Sequence, residues 1–384
     1  MQNFTFVNPT KIIFGEGSIA ELKNEYSAGD KILMTYGGGS IKKNGVYEQV
    51  IEALEGFDLL EFGGIEANPR FETLMKAVEL ARKENVTHLL AVGGGSIIDG
   101  TKFIAAAIPF DAGREWDILA QAAPLETAIP FGSVLTLPAT GSEMNCASVV
   151  SREETNEKLV FINPLVFPVF SILDPVATYT LPERQTANGI VDTFIHVTEQ
   201  YLTYPVNAHL QDRQAEAILL TLVDEGPKAI ENPGDYDTRA TIMWCSTQAL
   251  NGNIGCGVPQ DWGTHLIGHE LTALHGIDHA RTLAIVLPGM LSYRSDRKKD
   301  KIIQYGERIW NITEGSEEER IEAAIRKTKE FFNSMGIPTS LADYKIAWDG
   351  VKTVGERIDA RDMKLGEHGD IGGSEIDAIL KLCL

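Results

Sequence analysis

Four histidines lie close together in the second half of the chain. His265 and His269 are four residues apart, and His275 and His279 follow, so four of the eight histidines fall between residues 265 and 279. Neutral imidazole is the commonest metal ligand in proteins. Residues i and i+4 of a helix share one face, so His265 and His269 could chelate one ion. The cluster therefore predicts a metal centre.

Helix geometry limits which of these histidines can share an ion. One continuous helix would separate His265 from His279 by about 21 Å, whereas the ligands of one metal lie within a few ångströms of each other. The chain must therefore bend back if both bind one ion, and Gly276 is the expected bend. Spacing leaves His269, His275 and His279 open as partners of His265, although for His275 we favour a structural contact with a backbone carbonyl.

A second pair, Asp192 and His196, lies four residues apart in a largely apolar helical pattern. Alone, the pair would be interpreted as a simple Asp–His hydrogen bond. Beside the histidine cluster it indicates a set of one carboxylate and several imidazoles, which is typical of Zn²⁺ or Fe²⁺. The zincin motif is excluded because Leu266 stands where that motif has its glutamate.

Glycine-rich turns follow three apolar runs in the first half of the chain. Residues 93–96 read Gly-Gly-Gly-Ser, residues 37–40 repeat that tetrapeptide, and a third turn contains Thr140 to Ser142. Between a strand and a helix, glycines let backbone N–H groups approach a phosphate, although a connecting turn would look the same. The pattern is neither G-x-G-x-x-G nor a P-loop. Three such turns at strand ends predict a ligand crevice.

The elements around these motifs change character near residue 182. Before it, strand-like runs such as 31–36 and 88–92 alternate with helical patterns, which predicts a parallel sheet covered by helices. After it, nearly every pattern is helical. We therefore predict an α/β dinucleotide-binding domain over residues 1–182 and an all-helical metal-binding, catalytic domain over residues 183–384.

Composition excludes several classes of partner. The formal net charge is −20, which argues against nucleic acid and anionic membrane as partners. No apolar run is long enough for a transmembrane helix, and the start of the chain lacks signal-peptide features. The four cysteines have neither metal-type nor disulfide-type spacing. We expect a cytoplasmic protein whose metal is held by nitrogen and oxygen ligands.

Taken in order, these motifs resemble those of the iron-containing (group III, metal-dependent) alcohol dehydrogenase family. The segments that resemble the family are Gly93-Gly-Gly-Ser-Ile-Ile-Asp99, Thr136-Leu-Pro-Ala-Thr-Gly-Ser-Glu143, Leu173-Asp-Pro175, Asp192-x3-His196 and His265-x3-His269-x9-His279. Residues 36–45 and 251–262 look like the branch that contains butanol dehydrogenases and NADPH-dependent aldehyde reductases. The family implies a Rossmann-like N-terminal domain followed by a helical metal domain.

The resemblance also implies roles for individual residues. Asp192, His196, His265 and His279 would bind one divalent ion, Fe²⁺ or Zn²⁺, and His269 would be a catalytic residue that does not bind the metal. The dinucleotide site would comprise Gly37, Gly38, Gly39, Ser40, Asn68, Gly94, Gly95, Ser96, Asp99, Thr136, Thr140, Ser142 and Lys158.

We predict NADP(H) as the cofactor. The turn at residues 37–40 has no acidic residue to repel a 2′-phosphate, and Lys42 and Lys43 follow it. Short- to medium-chain aldehydes and primary alcohols are the substrates that the resemblance implies, with a homodimer as the assembly. The alternatives are a glycerol-type polyol dehydrogenase, a dehydroquinate-synthase-like lyase, or a metal-binding protein without turnover.

Overall fold

The computed structural model describes all residues from Met1 to Leu384. The strands, β1 to β8 in chain order, are Lys11–Phe14, Lys31–Tyr36, Asp58–Phe62, His88–Gly94, Phe131–Leu137, Ala147–Arg152, Glu157–Ile162 and Phe170–Leu173. The helices, α1 to α13, are Val46–Ala53, Phe71–Glu84, Gly95–Ala107, Asp117–Ala120, Glu183–Tyr201, His209–Glu231, Tyr236–Ala249, Gly263–His275, His279–Tyr293, Ser295–Trp310, Glu317–Ser334, Val354–Asp359 and Gly373–Leu382.

The chain divides into two compact units. The first comprises Val7–Leu181 and Pro233–Thr247, and the second comprises Met1–Phe6, Pro182–Asn232 and Gln248–Leu384. Dinucleotide binding by residues 1–182 remains a prediction, and so does metal binding by residues 183–384.

A six-stranded sheet organises the first unit. Its order is β1-β8-β5-β4-β2-β3, and every adjacent pair is parallel. Strand β4 is buried from Leu89 to Val92 because helices cover both faces of such a sheet, and this is why the strand is a continuous apolar run. The predicted parallel sheet is confirmed. The antiparallel hairpin β6–β7, which the sequence analysis did not predict, forms a second, two-stranded sheet.

The strand order creates a switch point between β2 and β4. From β2 the chain continues to β3 on one side, whereas from β4 it continues to β5 on the other. Ligands of open α/β sheets bind at the carboxyl ends of the strands where the order reverses. Residues 37–40 follow β2 as expected, whereas residues 93–96 form the junction itself, with Gly93 and Gly94 at the end of β4 and Gly95 and Ser96 at the start of α3.

The second unit is almost entirely helical, as predicted. Helix α5 is buried from Thr186 to Tyr201, which is why apolar residues occur on all sides of it. Helix α11 begins with a capping box in which Ser316 and Glu319 satisfy each other's backbone N–H groups. None of the helices combines the length and apolar content that crossing a membrane requires.

Candidate metal centre and cofactor site

Helix α5 carries three buried polar residues with helical spacing. Asp192, His196 and Glu199 are all less than 5% exposed. Their offsets of four and three residues place them on one face of the helix. Because the helix is enclosed on every side, each polar group needs a partner inside the protein.

The bend predicted between His265 and His279 is present. Helix α8 ends at Gly276, whose φ of +66° is left-handed and whose amide donates to the carbonyl of Thr272 over 2.9 Å. Helix α9 then begins at His279. The helical hairpin therefore brings His265 and His279 together, which a single continuous helix could not do.

Asp278 fixes the start of helix α9 to helix α5. Its Oδ2 accepts hydrogen bonds from Arg184 Nε at 2.8 Å and Asn188 Nδ2 at 2.7 Å. Asn188 lies one helical turn before Asp192. The hydrogen bonds of Asp278 therefore set the position of His279 relative to Asp192. The hydrogen bonds from Arg184 and Asn188 also hold the pKa of Asp278 below its usual range despite partial burial.

Three of the predicted ligands converge on one point. The candidate ligand atoms of Asp192, His265 and His279 lie within 4.8 Å of one another. Oδ1 of Asp192 is 4.0 Å from Nε2 of His265 and 3.8 Å from Nε2 of His279. A carboxylate and imidazoles at such spacing suit a divalent ion of the Zn²⁺ or Fe²⁺ type.

The fourth predicted ligand, His196, borders this group. Its Nδ1 is 3.9 Å from Oδ2 of Asp192, and its ring centroid is 4.5 Å from that of His265. Burial lowers the pKa of His196 to about 4, so the ring is neutral near pH 7 and has a lone pair for a cation. The donor set therefore fits one divalent ion.

Two other histidines of the cluster lie outside that group. The ring of His269 is 4.9 Å from that of His279 and 6.4 Å from that of His265. His275 Nε2 lies 2.9 Å from the carbonyl oxygen of Gly350, which is the structural contact expected for it. Trp262 also touches the cluster, with its ring centroid 5.3 Å from that of His265.

Glu199 is a polar residue of this centre that the sequence analysis missed. One of its oxygens hydrogen-bonds Nδ1 of His265, and the other accepts from the amide of Thr264 at 2.7 Å. Burial and nearby Asp261 raise the pKa of Glu199, and the amides of Thr264 and His265 oppose that shift. The signal was available in its spacing from Asp192 and His196, but its partner lies on another helix.

The glycine-rich junction between β4 and α3 allows the start of α3 to lie close to the turn after β5. A Cβ on Gly95, the first residue of helix α3, would lie 2.4 Å from Oγ1 of Thr140. Any larger residue would therefore push this helix N-terminus away from the turn after β5. The N-terminus of α3, with Gly94, Gly95 and Ser96, offers N–H groups suited to a pyrophosphate.

A buried lysine ties these turns together. Nζ of Lys102 donates to Oγ of Ser142 at 2.8 Å, Oδ1 of Asn145 at 2.9 Å and the carbonyl of Ala147 at 2.8 Å. Ser142 in turn donates to Oδ1 of Asp99 at 2.5 Å. Burial lowers the pKa of Lys102 to about 8, whereas Asp99 acts in the opposite direction. Lys102 was not predicted as a site residue, although it lies three residues after Asp99.

Two more predicted cofactor residues meet beside helix α3. The amide of Asn68 donates to Oγ of Ser96 at 3.3 Å, and Nζ of Lys158 donates to Oδ1 of Asn68 at 2.9 Å. Asn68 has a left-handed φ of +59°. Thr136 is 8% exposed near the carboxyl end of β5.

The lysines after β2 differ in their surroundings. Nζ of Lys42 is 3.2 Å from Oε2 of Glu61 and lies over the rings of Tyr36 and Tyr47. The hydrogen bond with Tyr36 and the pairing with Glu61 raise the pKa of Lys42. Lys43 is exposed and makes no ion pair. The open turn and Lys43 are therefore better placed than Lys42 to interact with a 2′-phosphate.

Comparison with known proteins agrees with the motifs. Residues 9–175 match the family model "Iron-containing alcohol dehydrogenase", and residues 186–382 match "Fe-containing alcohol dehydrogenase family, C-terminal". The chain is 56% identical to the NADPH-dependent aldehyde reductase YqhD of Escherichia coli (strain K12) over 374 residues, which is 97% of each chain. It is 42% identical to a probable NADH-dependent butanol dehydrogenase of Bacillus subtilis (strain 168), and the alignment covers all of both chains.

The solved structures give the same answer for the fold. The crystal structure of YqhD from E. coli K-12 matches with a TM-score of 0.98 and 53% identity, covering 100% of this chain and 99% of that chain. The resemblance inferred from the motifs is therefore confirmed. The chain is an oxidoreductase that belongs to the iron-containing alcohol dehydrogenase family.

Proposed function

We propose that this enzyme reduces short- to medium-chain aldehydes with NADPH, and oxidises the corresponding primary alcohols in reverse, with one divalent ion in its active site. The observation that carries the proposal is the convergence of ligand atoms from Asp192, His265 and His279 within 4.8 Å. The similarity to an NADPH-dependent aldehyde reductase supports the reaction class. No observation favours the glycerol-type alternative.

The ion would be held by Asp192, His196, His265 and His279. When bound, it supplies a Lewis acid that polarises the carbonyl oxygen of an aldehyde. Both Fe²⁺ and Zn²⁺ suit three imidazoles and a carboxylate. Elemental analysis of protein purified without oxygen would identify the metal.

The dinucleotide would be bound by the polar turns of the first unit. The amides of Gly94, Gly95 and Ser96 would donate to the pyrophosphate, and Lys158, already hydrogen-bonded to Asn68, would add a positive charge. When bound, the cofactor supplies the hydride. Asp99, Thr140 and Ser142 would shape the remainder of this site through the contacts that they make with each other and with Gly95.

His269 would handle the proton. Its ring is partly exposed and lies beside His279 without joining the ligand group. A protonated imidazole in that position can donate a proton to an alkoxide and become neutral. The variant His269→Ala should keep its metal while kcat falls, which metal analysis and steady-state kinetics would show together.

Cofactor preference is a separate part of the proposal. Among the relatives, YqhD is named for NADPH and the B. subtilis proteins for NADH, so similarity alone does not decide. The turn at residues 37–40 offers amides and Ser40 without an acidic side chain, which suits a 2′-phosphate. The homodimer and the cytoplasmic location stay predictions.

The test is the loss of NADPH absorbance with butanal, with and without a chelator. We expect turnover that the chelator abolishes and that added Fe²⁺ or Zn²⁺ restores. A parallel series with NADH gives the ratio of the two kcat/KM values. Turnover that survives complete metal removal would contradict the metal-assisted reaction, and a clear NADH preference would contradict the cofactor assignment.

A further inference from the structure

Glu199 holds both the backbone and the ring of one predicted ligand. It lies on helix α5, seven residues after Asp192, and is 3% exposed. Its Oε1 accepts the amides of Thr264 at 2.7 Å and His265 at 3.4 Å, while its Oε2 hydrogen-bonds Nδ1 of His265. One carboxylate therefore contacts His265 at two points.

The ring contact has a direct chemical consequence. An imidazole that gives the lone pair of Nε2 to a cation must carry its proton on Nδ1. Nε2 of His265 is the nitrogen that lies 4.0 Å from Oδ1 of Asp192, so it faces the converging ligand atoms. A carboxylate that accepts the Nδ1 proton fixes the tautomer and the ring orientation and makes Nε2 a better donor.

The backbone contact offsets part of the cost of burying a carboxylate there. Thr264 and His265 lie in the first turn of helix α8, where N–H groups have no partner within the helix. A negative charge at a helix N-terminus is stabilised by those groups and by the helix dipole. Because the amides and the ring belong to the same turn, the helix end and the imidazole are held as one rigid group.

We propose that Glu199 is a positioning residue that orients His265 toward the metal ion. The inference rests on the proposed ligand set and therefore on the proposed function. It gives helix α5 a double role, since this helix supplies the ligands Asp192 and His196 and also the carboxylate that aligns a ligand of helix α8.

The first test is the metal affinity of the full-length Glu199→Gln variant, measured by competition between a chelator and Zn²⁺. Loss of such a partner typically costs 10–100-fold in metal affinity, so we expect a fall of about that size. Glu216→Gln is the matched control, because Glu216 is equally buried and bonds Tyr201 and Arg308 on the same unit. A loss no larger than that of the control would overturn the proposal.

The second test follows the proton on His265 in metal-free protein. The ¹⁵N chemical shifts of its ring should show the Nδ1–H form in the wild type and a mixture of tautomers in Glu199→Gln. Unchanged shifts would overturn the proposal. If Glu199→Gln fails to fold, Glu199→Asp, which keeps the charge and retracts the oxygens, should fold and show an intermediate affinity; wild-type affinity in it would likewise count against the proposal.

The variant His265→Ala separates this inference from the function that it rests on. If His265→Ala binds Zn²⁺ as tightly as the wild type, the ligand set itself is wrong. If His265→Ala loses affinity while Glu199→Gln does not, only the positioning role is wrong. Both outcomes are read from metal binding and do not depend on turnover.

Discussion

The candidate metal centre and the proposed dinucleotide turns would hold a ligand by opposite means. In the candidate metal centre, the side chains of Asp192, His265 and His279 would provide the binding atoms, and buried helices position them. In the turns, backbone amides would bind the ligand, and they are accessible because residues such as Gly95 have no side chain. The first region therefore depends on which side-chain atoms are present, whereas the second depends on which side-chain atoms are absent.

This contrast predicts different consequences of substitution. Changing a ligand in the metal centre should abolish one interaction without altering the packing. Adding a methyl group in the turns should disturb the packing without removing any binding atom. Four substitutions, of Asp192, Lys102, Gly95 and Lys42, separate these two kinds of consequence.

Replacing Asp192 by Asn should have the largest effect. The amide keeps the shape but loses the charge that holds the cation, and a metal Lewis acid contributes several kcal/mol, so kcat/KM for butanal should fall by about 10³-fold. Metal analysis and steady-state kinetics measure both effects. Asp212→Asn is the control, since Asp212 pairs with Lys301 on the same unit. Full activity with wild-type metal content in Asp192→Asn would exclude Asp192 as a ligand.

Replacing Lys102 by Met should change how stability depends on pH. The folded-state pKa of Lys102 is about 8 and its ordinary value is 10.5. Between these values the unfolded chain binds more protons, so the contribution of Lys102 to stability rises with pH in that window. The free energy of unfolding of the wild type, minus that of Lys102→Met, should increase by about 3 kcal/mol from about pH 7 to pH 10.5.

Denaturant unfolding of both proteins at several pH values measures this difference. Subtracting the variant cancels the titration of the buried tyrosines and cysteines, which occurs in both proteins. A difference that stays constant with pH would mean that Lys102 keeps its ordinary pKa. The metal content should be the same in both proteins, because Lys102 belongs to the turns.

Replacing Gly95 by Ala should disturb the turns alone. Its Cβ would meet Oγ1 of Thr140 at 2.4 Å, and overpacking of this kind costs about 1–3 kcal/mol. We expect a lower melting temperature and weaker NADPH binding by calorimetry, with unchanged metal content. Gly234→Ala is the control, because open space surrounds Gly234 in the same unit. Equal effects of the two substitutions would show that the contact with Thr140 is unimportant.

The smallest effect should come from Lys42. Its ammonium already pairs with Glu61, so Lys42→Met should alter the ratio of NADPH to NADH kcat/KM by less than about threefold. Lys43→Met should lower the ratio further, since Lys43 has no such pair. If Lys42→Met proves the more damaging variant, the pairing with Glu61 must open when the cofactor binds.

The features that follow from local rules could be predicted from the sequence. The bend at Gly276 followed from helix rise alone, and the parallel sheet followed from alternating apolar runs. The contact of His275 with a carbonyl was likewise expected. The bend depends on residues that are close together in the chain, and the sheet was indicated by the apolar pattern within each strand. The partner of His275, Gly350, lies 75 residues away and was not predicted.

The features that were missed depend on partners that are distant in the chain. Glu199 lies 66 residues before the imidazole that it holds. Lys102 lies 40 residues before Ser142. The partner of Lys42 is Glu61, which lies on the neighbouring strand. Lys42 was expected to interact with a phosphate, but it forms an ion pair with Glu61. Only the folded chain brings such groups together, so sequence patterns did not identify the partners, although the spacing of Glu199 from Asp192 and His196 placed it on their face of the helix.

Helix α7 bears on any attempt to treat this enzyme as modular. Most of it belongs to the unit that contains the sheet, although it follows helices of the other unit in the chain. Thr247 donates to the buried carboxylate of Glu143 at 2.6 Å, and Trp244 packs against Phe14. A fragment that ends at residue 182 would lack Thr247, so the carboxylate of Glu143 would lose this hydrogen bond. The loss would lower the free energy of unfolding by about 1–3 kcal/mol. Transferring the unit that contains the sheet into another enzyme would therefore require residues 233–247 to be supplied as a separate segment.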